Sequence, residues 1–332
     1  MGIRVGCGCA GMGTYSPEIR GFAGSGSGDF QRTSPYNQTM IYNIFSIMAP
    51  VLVCATVGYL WARRGFGFDA EFISRLVLNI GAPCLMLSTL GSVELDFDAF
   101  QRTAMACVLV ALVMTVLGLV VPRLLNHDVR AYLPSFVFPN VGNMGLPICM
   151  LAFGQHGLAL GLAFFMVLSI AHFPVATLMA GGREAGGWGA VARMPMLYVV
   201  LLSIVMLWQE WHLPVPVANS VKLLGGMAIP LMLLALGVSL ARLRVSQWRE
   251  ALLYSVLRIG GGLLAGLMAC EVFGLEGSER GVVLLQASMP VAVFNYLFAE
   301  RYRRQPEAVA GLVVMSTLMS FITLPVLLWW LL

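Results

Sequence analysis

Charged residues are scarce in this sequence, and their scarcity excludes most classes of soluble protein. Only 11% of the 332 residues are Asp, Glu, Lys or Arg, whereas 59% are hydrophobic and the mean hydropathy is +0.84. Soluble domains contain about 25% charged residues. The net charge is +4 and the basic residues are dispersed, so we expect no nucleic-acid partner. The composition predicts an integral protein of the lipid bilayer.

The sequence also lacks the motifs of enzymes and of metal sites. Its seven cysteines are scattered singly apart from a CxC at Cys7 and Cys9, and its four histidines lie far apart. Neither HExxH nor GxSxG occurs. We therefore expect no catalytic residues, no cofactor and no metal, and an intramembrane enzyme remains only as an alternative.

Residues 1–39 differ from the rest of the chain. They are rich in Gly and Ser and contain no hydrophobic run of the kind found in a signal peptide. We predict a disordered N-terminal extension over these residues. Because the first apolar run follows Met40 at once, we expect Met40 to be the natural start.

Apolar runs after Met40 predict an all-α polytopic membrane protein, since a spanning helix needs about 20 such residues. The predicted spans are 41–62, 71–91, 102–122, 131–153, 157–180, 195–213, 219–240, 250–273, 279–300 and 307–332. Loops are short, so little remains for a soluble domain. A sensor or scaffold with a transporter fold is a further alternative, although it would need such a domain.

Basic residues are distributed unevenly between the loops. The loops after predicted helices 1, 3, 5, 7 and 9 hold twelve arginines, whereas the loops after helices 2, 4, 6 and 8 hold three Lys or Arg. Basic loops stay in the cytoplasm. We therefore predict an inner (plasma) membrane protein whose two termini are both periplasmic.

Two prolines recur at matching positions in the two halves of the chain. Pro83 follows Arg75 by eight residues and Pro230 follows Lys222 by eight, with an offset of 147 in both cases. Residues 40–180 and 195–332 are thus predicted to be repeats, joined by a cytoplasmic loop at 181–194. Because each repeat has five helices, the two must be inverted. Inverted repeats with broken helices are typical of secondary transporters with a site near the midplane.

Two predicted helices contain residues that a continuous membrane helix cannot accommodate. The stretch PSFVFPNVGNMGLPIC interrupts helix 4, because proline lacks the backbone donor and clashes with the preceding turn. ASMPVAVFNY interrupts helix 9 in the same way. The candidate substrate-binding residues in these breaks are Pro139, Asn140, Gly142, Asn143, Gly145, Pro147, Ser288, Pro290 and Asn295.

The sequences PNVGNMGLP, at Pro139–Pro147, and QASMPVAVFNYLFAERY, at Gln286–Tyr302, resemble the auxin efflux carrier family. The opening run MIYNIFSIMAPVLVCATVGYLWARRG is also similar to that family's first helix. The resemblance implies a ten-helix fold related to bile-acid/sodium symporters, in which broken helices 4 and 9 cross near the midplane. It also implies carriage of an organic anion: auxin in plant members, and malate or malonate in bacterial ones. The short loop at 181–194 resembles the bacterial type.

The asparagines in the breaks have two interpretations. Half-helix amino termini attract anions, and the amides of Asn140, Asn143 and Asn295 would then contact a substrate carboxylate. Alternatively, these amides only satisfy backbone groups freed by the breaks.

Few ionisable residues lie within the predicted spans. Arg258 is a candidate for balancing an anion, or else extends to the interface. His172 is a candidate proton relay, or else a neutral ring bonded to backbone. No Asp or Glu lies at a span's centre. Coupling to H⁺ or Na⁺ is therefore left open, as is a homodimer.

Overall fold

The computed structural model describes residues 35–91, 96–179, 195–209, 211 and 213–332, and its regular elements are helices. Most of the predicted N-terminal extension and the predicted loop at 181–194 therefore lie outside the described residues. The first helix begins at Pro35, so residues 35–39, which the sequence assigned to the extension, are helical. Proline favours the first turn of a helix, where its missing N–H costs nothing.

The described chain forms thirteen α-helices. The first six are α1 Pro35–Arg63, α2 Ala70–Leu76, α3 Ala82–Leu90, α4 Phe97–Leu124, α5 Val129–Val137 and α6 Leu146–Met179. The others are α7 Pro195–Trp208, α8 Val215–Gly226, α9 Ala228–Arg242, α10 Trp248–Phe273, α11 Gly277–Ala287, α12 Phe294–Arg301 and α13 Pro306–Leu331. Two π-helical turns, Val77–Gly81 and Val141–Gly145, lead directly into α3 and α6.

Seven helical stretches in the described part of the chain are long and apolar enough to cross a membrane. The protein is therefore a multi-pass membrane protein. The predicted count of ten rests on apolar runs that the structure divides differently. Predicted helices 131–153 and 279–300 are each interrupted, and α7 has only 14 residues. The ten-helix topology thus stays a prediction.

Prolines determine where several helices are interrupted. A proline clashes with the carbonyl four residues before it. For Pro83 and Pro147 that carbonyl lies inside a π-helical turn, and for Pro230 it belongs to the last residue of α8. A fourth interruption has a different cause: Gly154 has φ 66° and ψ −156°, and it breaks α6 between predicted helices 131–153 and 157–180.

Helices α1 and α9 pack closely because glycines remove side chains from their contact. A Cβ on Gly58 would overlap the backbone of Leu234, and one on Gly237 would overlap the backbone of Ala55. Small residues of this kind allow membrane helices to approach closely, so that dispersion forces hold them together.

Two hydrophobic clusters form the core, and the two proline-rich breaks lie where they meet. One cluster is formed mainly by α1, α3, α6 and α9, and the other mainly by α4, α5, α10 and α13. In the first break Met144 belongs to one cluster and Val141 to the other. In the second break Met289 and Val291 are divided in the same way.

Candidate functional site

The break between α5 and α6 lies against the break between α11 and α12. Pro139 and Val291 form an isolated antiparallel bridge. On one side of it, the N–H of Asn140 donates to the carbonyl of Pro290 at 2.7 Å. Each break thus satisfies backbone groups that the other exposes, which a membrane interior requires. We call this contact region, residues 138–147 and 287–295, the crossing.

Asn295 satisfies the backbone of the opposite break. Its Nδ2 donates to the carbonyl of Phe138 at 2.9 Å, and the same carbonyl accepts the N–H of Ala292 at 3.2 Å. The side chain is 1% exposed, and its Oδ1 accepts no hydrogen bond from the described residues. Nδ2 therefore satisfies the backbone, as the second interpretation of these asparagines expects. Oδ1 remains available to a ligand.

Asn140 forms a tight turn with its backbone and leaves its side chain unpaired. Its φ of −77° and ψ of 53° are close to an inverse γ-turn, which the N–H of Val141 closes by donating to the carbonyl of Pro139 at 2.8 Å. The side chain caps no helix, and its buried Nδ2 has no partner within the described chain. Asn140 therefore does not repair the break with its amide.

The π-helical turn after Asn140 is shaped by two glycines. A Cβ on Gly142 would press against the ring of Phe165, and one on Gly145 would overlap the side-chain amide of Gln286. Both glycines are therefore needed for close packing against neighbouring elements. Asn143 lies between them, half-buried, and its amide makes no hydrogen bond to the described residues.

Pro147 and Pro290 are buried and serve the backbone. Pro147 is the second residue of α6 and directly follows the π-helical turn Val141–Gly145, where it cannot donate the N–H that a continuous helix would use. Pro290 accepts the hydrogen bond from Asn140, and Val291, which follows it, donates its N–H to Oγ of Ser316 at 3.0 Å. These prolines fix the geometry of the crossing.

Gln286 and Ser288, at the end of α11, are buried and incompletely paired. Nε2 of Gln286 donates to the carbonyl of Gly161 at 3.4 Å, while its Oε1 has no partner in the part of the protein that the structure describes. The hydroxyl of Ser288 is 3% exposed and also has none. A buried polar group without a partner costs about 1–3 kcal/mol, so both point to a missing contact.

Arg258 lies inside the protein beside the crossing. Its side chain is 1% exposed, and Nη1 donates to the carbonyl of Ala287, the last residue of α11, at 3.0 Å. Gly262, one turn further along α10, makes room for this contact. Nε and Nη2 are buried, and neither has a partner among the residues that the structure describes. The alternative in which Arg258 extends to the interface is therefore wrong, because the contact with Ala287 holds the guanidinium inside.

His172 is not placed with these residues. It belongs to α6, but its side chain lies outside the described part of the structure. The proton-relay interpretation of His172 therefore stays a prediction.

Several buried polar atoms without a partner among the described residues lie at the crossing or on the helices that lead to it. They belong to Ser135 on α5, Asn140, Ser255 and Arg258 on α10, Gln286, Ser288, and Asn295 on α12, whereas Thr103, Ser203 and Thr323 are unpaired elsewhere. Most of these groups are hydrogen-bond donors, and one is a cation. Such a set is suited to an anion that accepts several hydrogen bonds.

A second polar cluster was not predicted from the sequence. Tyr132 and Tyr254 stack with ring centroids 4.3 Å apart. Nδ1 of His127 lies 2.9 Å from the hydroxyl of Tyr254, and the hydroxyl of Tyr132 donates to Glu250 at 3.2 Å. His127, Tyr132 and Glu250 line a cleft of about 430 Å³. The spacing of Glu250, Tyr254 and Arg258 by four residues places them on one helix face, which was a usable signal.

Comparison with known proteins gives matches over most of the chain. Residues 43–186 and 188–328 match a family described as membrane transport protein. An uncharacterized transporter of Methanothermobacter thermautotrophicus is 25% identical over 289 residues, which are 83% of this chain and 94% of that protein. A putative malonate transporter of Rhizobium meliloti is 23% identical over 309 residues, 86% of this chain and 95% of that protein. Auxin efflux carrier component 6 of Arabidopsis thaliana is 26% identical over 137 residues, which are 39% of this chain and 24% of that protein.

Proposed function

Because this chain belongs to the membrane transport protein family, to which the auxin efflux carriers also belong, we propose that it is a secondary carrier of a small organic anion that works by alternating access. Family membership confirms the resemblance found in the sequence. It also favours the prediction of a transporter over the alternative of an intramembrane enzyme, since members of this family are transporters.

The unpaired polar atoms at the crossing carry this proposal. Arg258, Asn140 and Ser288 are each at least 97% buried, and each keeps a hydrogen-bonding atom that no described residue pairs. A membrane interior offers no water to satisfy such atoms. A carboxylate supplies two oxygens with several acceptor positions, so a bound mono- or dicarboxylate would relieve these costs together. The malonate named for the Rhizobium relative belongs to this chemical class.

The proposed topology has ten spans in two inverted repeats, with the crossing near the midplane and both termini periplasmic. The 147-residue offset between Pro83 and Pro230 supports it. So does the reciprocal bonding at the crossing, where each break donates one backbone N–H to the other. In this topology the cleft at His127 opens on the arginine-rich, cytoplasmic side of the inner membrane.

The stacked pair of Tyr132 and Tyr254 is the proposed barrier on that side. Tyr254 lies one helical turn from Arg258, about 6 Å along α10, and it is fully buried. Glu250, a turn before Tyr254, lines the open cleft. Alternating access then requires the two rings to separate, which exposes Arg258 to the cytoplasm.

Uptake into proteoliposomes tests the proposal. The purified full chain is reconstituted, and uptake of labelled malonate is measured with Asn140→Ala, Asn143→Ala and Pro147→Ala. We expect uptake by the wild type and a loss of about tenfold or more with Asn140→Ala, because a hydrogen bond to a charged group contributes about 1.5–3 kcal/mol.

Gly260→Ala is the matched control, since a Cβ at this position on α10 meets nothing within 4 Å. It should transport like the wild type. Normal uptake by both Asn143→Ala and Pro147→Ala would contradict a substrate site at the crossing. Absence of uptake of any mono- or dicarboxylate by the wild type would contradict the carrier function.

A further inference from the structure

Arg258 has the same two nitrogen atoms unpaired that bind a carboxylate elsewhere in this protein. Arg102 donates Nε to one oxygen of Glu279 at 3.1 Å and Nη2 to the other at 2.7 Å. In Arg258, Nη1 is engaged by Ala287, whereas Nε and Nη2 are buried and have no partner in the described part of the chain. These two N–H groups point along one edge of the planar guanidinium, so they match the two oxygens of a single carboxylate.

No protein carboxylate neutralises Arg258 within the described part of the chain. Among the buried residues of the described chain, Arg258 is the only one with a charged side chain. The carboxylate nearest along the same face of α10 is that of Glu250, two turns away at about 12 Å. Glu250 accepts a hydrogen bond from Tyr132 and lies in the open cleft. The positive charge of Arg258 is therefore available to a ligand.

The helix ends at the crossing add no net charge to that of Arg258. The carboxyl ends of α5 and α11 meet there, and so do the amino ends of the Val141 turn and of α12. Each helix end carries about half a charge, negative at the carboxyl end and positive at the amino end. Two ends of each sign cancel, so Arg258 alone decides the net charge of the site.

We propose that Arg258 binds one carboxylate through Nε and Nη2, and that the crossing accommodates a single negative charge. The transported species is then a monoanion, and a dicarboxylate is bound with its second carboxyl group protonated. This inference rests on the proposed carrier function and specifies its substrate. It also makes Arg258 a specificity-determining residue, because a second buried carboxylate would have no cation to pair with.

Binding of matched acids and half-esters to the purified full chain tests the charge count. The probes are malonate and succinate, each with its monomethyl ester, which keeps the carbon skeleton but carries one charge. Affinity is measured by ligand-dependent thermal stabilisation near pH 5 and near pH 8, since carboxyl groups are ionised at the higher value. We expect each half-ester to bind equally at both pH values. The parent diacid should bind at least about tenfold more weakly near pH 8 than near pH 5.

Variants of Arg258 connect the preference to this side chain. Arg258→Gln should abolish binding of both half-esters, and Arg258→Lys, which keeps the charge but loses the fork, should retain weakened binding. Arg102→Gln is the control: it removes an arginine that binds a carboxylate in the same way but lies outside the site. It should leave ligand binding unchanged. If Arg258→Gln fails to fold, Arg258→Lys and the comparison of the two pH values still test whether Arg258 binds a single negative charge.

The outcomes separate the two proposals. Diacids that bind near pH 8 as tightly as their half-esters would overturn the single charge but leave the carrier function intact. Wild-type binding by Arg258→Gln would overturn the role of Arg258. Absence of stabilisation by every probe at both pH values would overturn the anion carrier itself, and the charge count with it.

Discussion

Gly262 lies where α10 passes the end of α11, and it has no room for a side chain. A Cβ there would overlap the carbonyl of Ala287 and Nη1 of Arg258, so Gly262→Ala must move the two helices apart or break their hydrogen bond. Overpacking costs about 1–3 kcal/mol, and loss of a hydrogen bond to a charged group costs about 1.5–3 kcal/mol. The better helix propensity of alanine returns about 1 kcal/mol. We therefore expect the free energy of unfolding to fall by up to about 2 kcal/mol if only one of these effects occurs, and by about 1.5–5 kcal/mol if both do.

Thermal unfolding in detergent and uptake in proteoliposomes measure this effect. Gly260→Ala changes the same residue type two positions earlier, where an added Cβ meets nothing within 4 Å. This control should be at least as stable as the wild type, because only the helix-propensity term applies to it. Gly262→Ala should be less stable and should transport more slowly. Equal stability and uptake for the two variants would refute the conclusion that contact between α10 and α11 positions Arg258.

Three further predictions concern single contacts. Asn295→Ala should lower the free energy of unfolding by about 0.5–1.5 kcal/mol, because the buried carbonyl of Phe138 loses one of its two donors and keeps only the N–H of Ala292. Asn140→Ala should leave the free energy of unfolding nearly unchanged. Denaturation of the two variants side by side would contradict this if the order reversed. Gly154→Ala should lower the free energy of unfolding by about 1–3 kcal/mol in the same assay, because the backbone at φ 66° and ψ −156° is strained for any residue with a Cβ. An unchanged denaturation midpoint would show that the backbone at this break adopts another conformation. Arg102→Glu should lower the stability, because it places two carboxylates side by side, and adding Glu279→Arg should restore it. A double-mutant cycle without coupling would contradict an effective ion pair.

The breaks in the helices could be predicted from the sequence because proline acts locally. Its effect on the carbonyl four residues earlier needs no knowledge of the fold, and it locates the interruptions before Pro83, Pro147 and Pro230. The partner of each freed group could not be predicted in this way. The bond from Asn295 to the carbonyl of Phe138 joins residues 157 positions apart, and no local rule selects that carbonyl.

The cluster around His127 was missed for the same physical reason. In sequence, His127 is a lone histidine in a loop, and its partner Tyr254 is 127 residues away. Only the α10 side of the cluster could be recognised from local sequence, through the spacing of Glu250, Tyr254 and Arg258 along one helix face. The rest of the cluster required α5 to pack against that face, which depends on the tertiary fold.

Two serines near the crossing provide the sharpest contrast between stability and function. Ser316 accepts the N–H of Val291, so Ser316→Ala leaves a buried donor unpaired and should cost about 1–3 kcal/mol. The hydroxyl of Ser288 has no partner among the described residues. Ser288→Ala therefore removes an existing cost, and we expect it to unfold at the same temperature as the wild type or higher.

Transport should respond in the opposite direction. If the Ser288 hydroxyl binds the substrate, Ser288→Ala lowers carboxylate affinity while it preserves or raises stability, as is common where a site keeps unpaired groups for its ligand. Thermal unfolding and malonate uptake of the two variants are measured together. A Ser288→Ala variant as unstable as Ser316→Ala would show that this hydroxyl has a structural partner after all. Unchanged stability with unchanged uptake would show that it serves neither the fold nor the substrate.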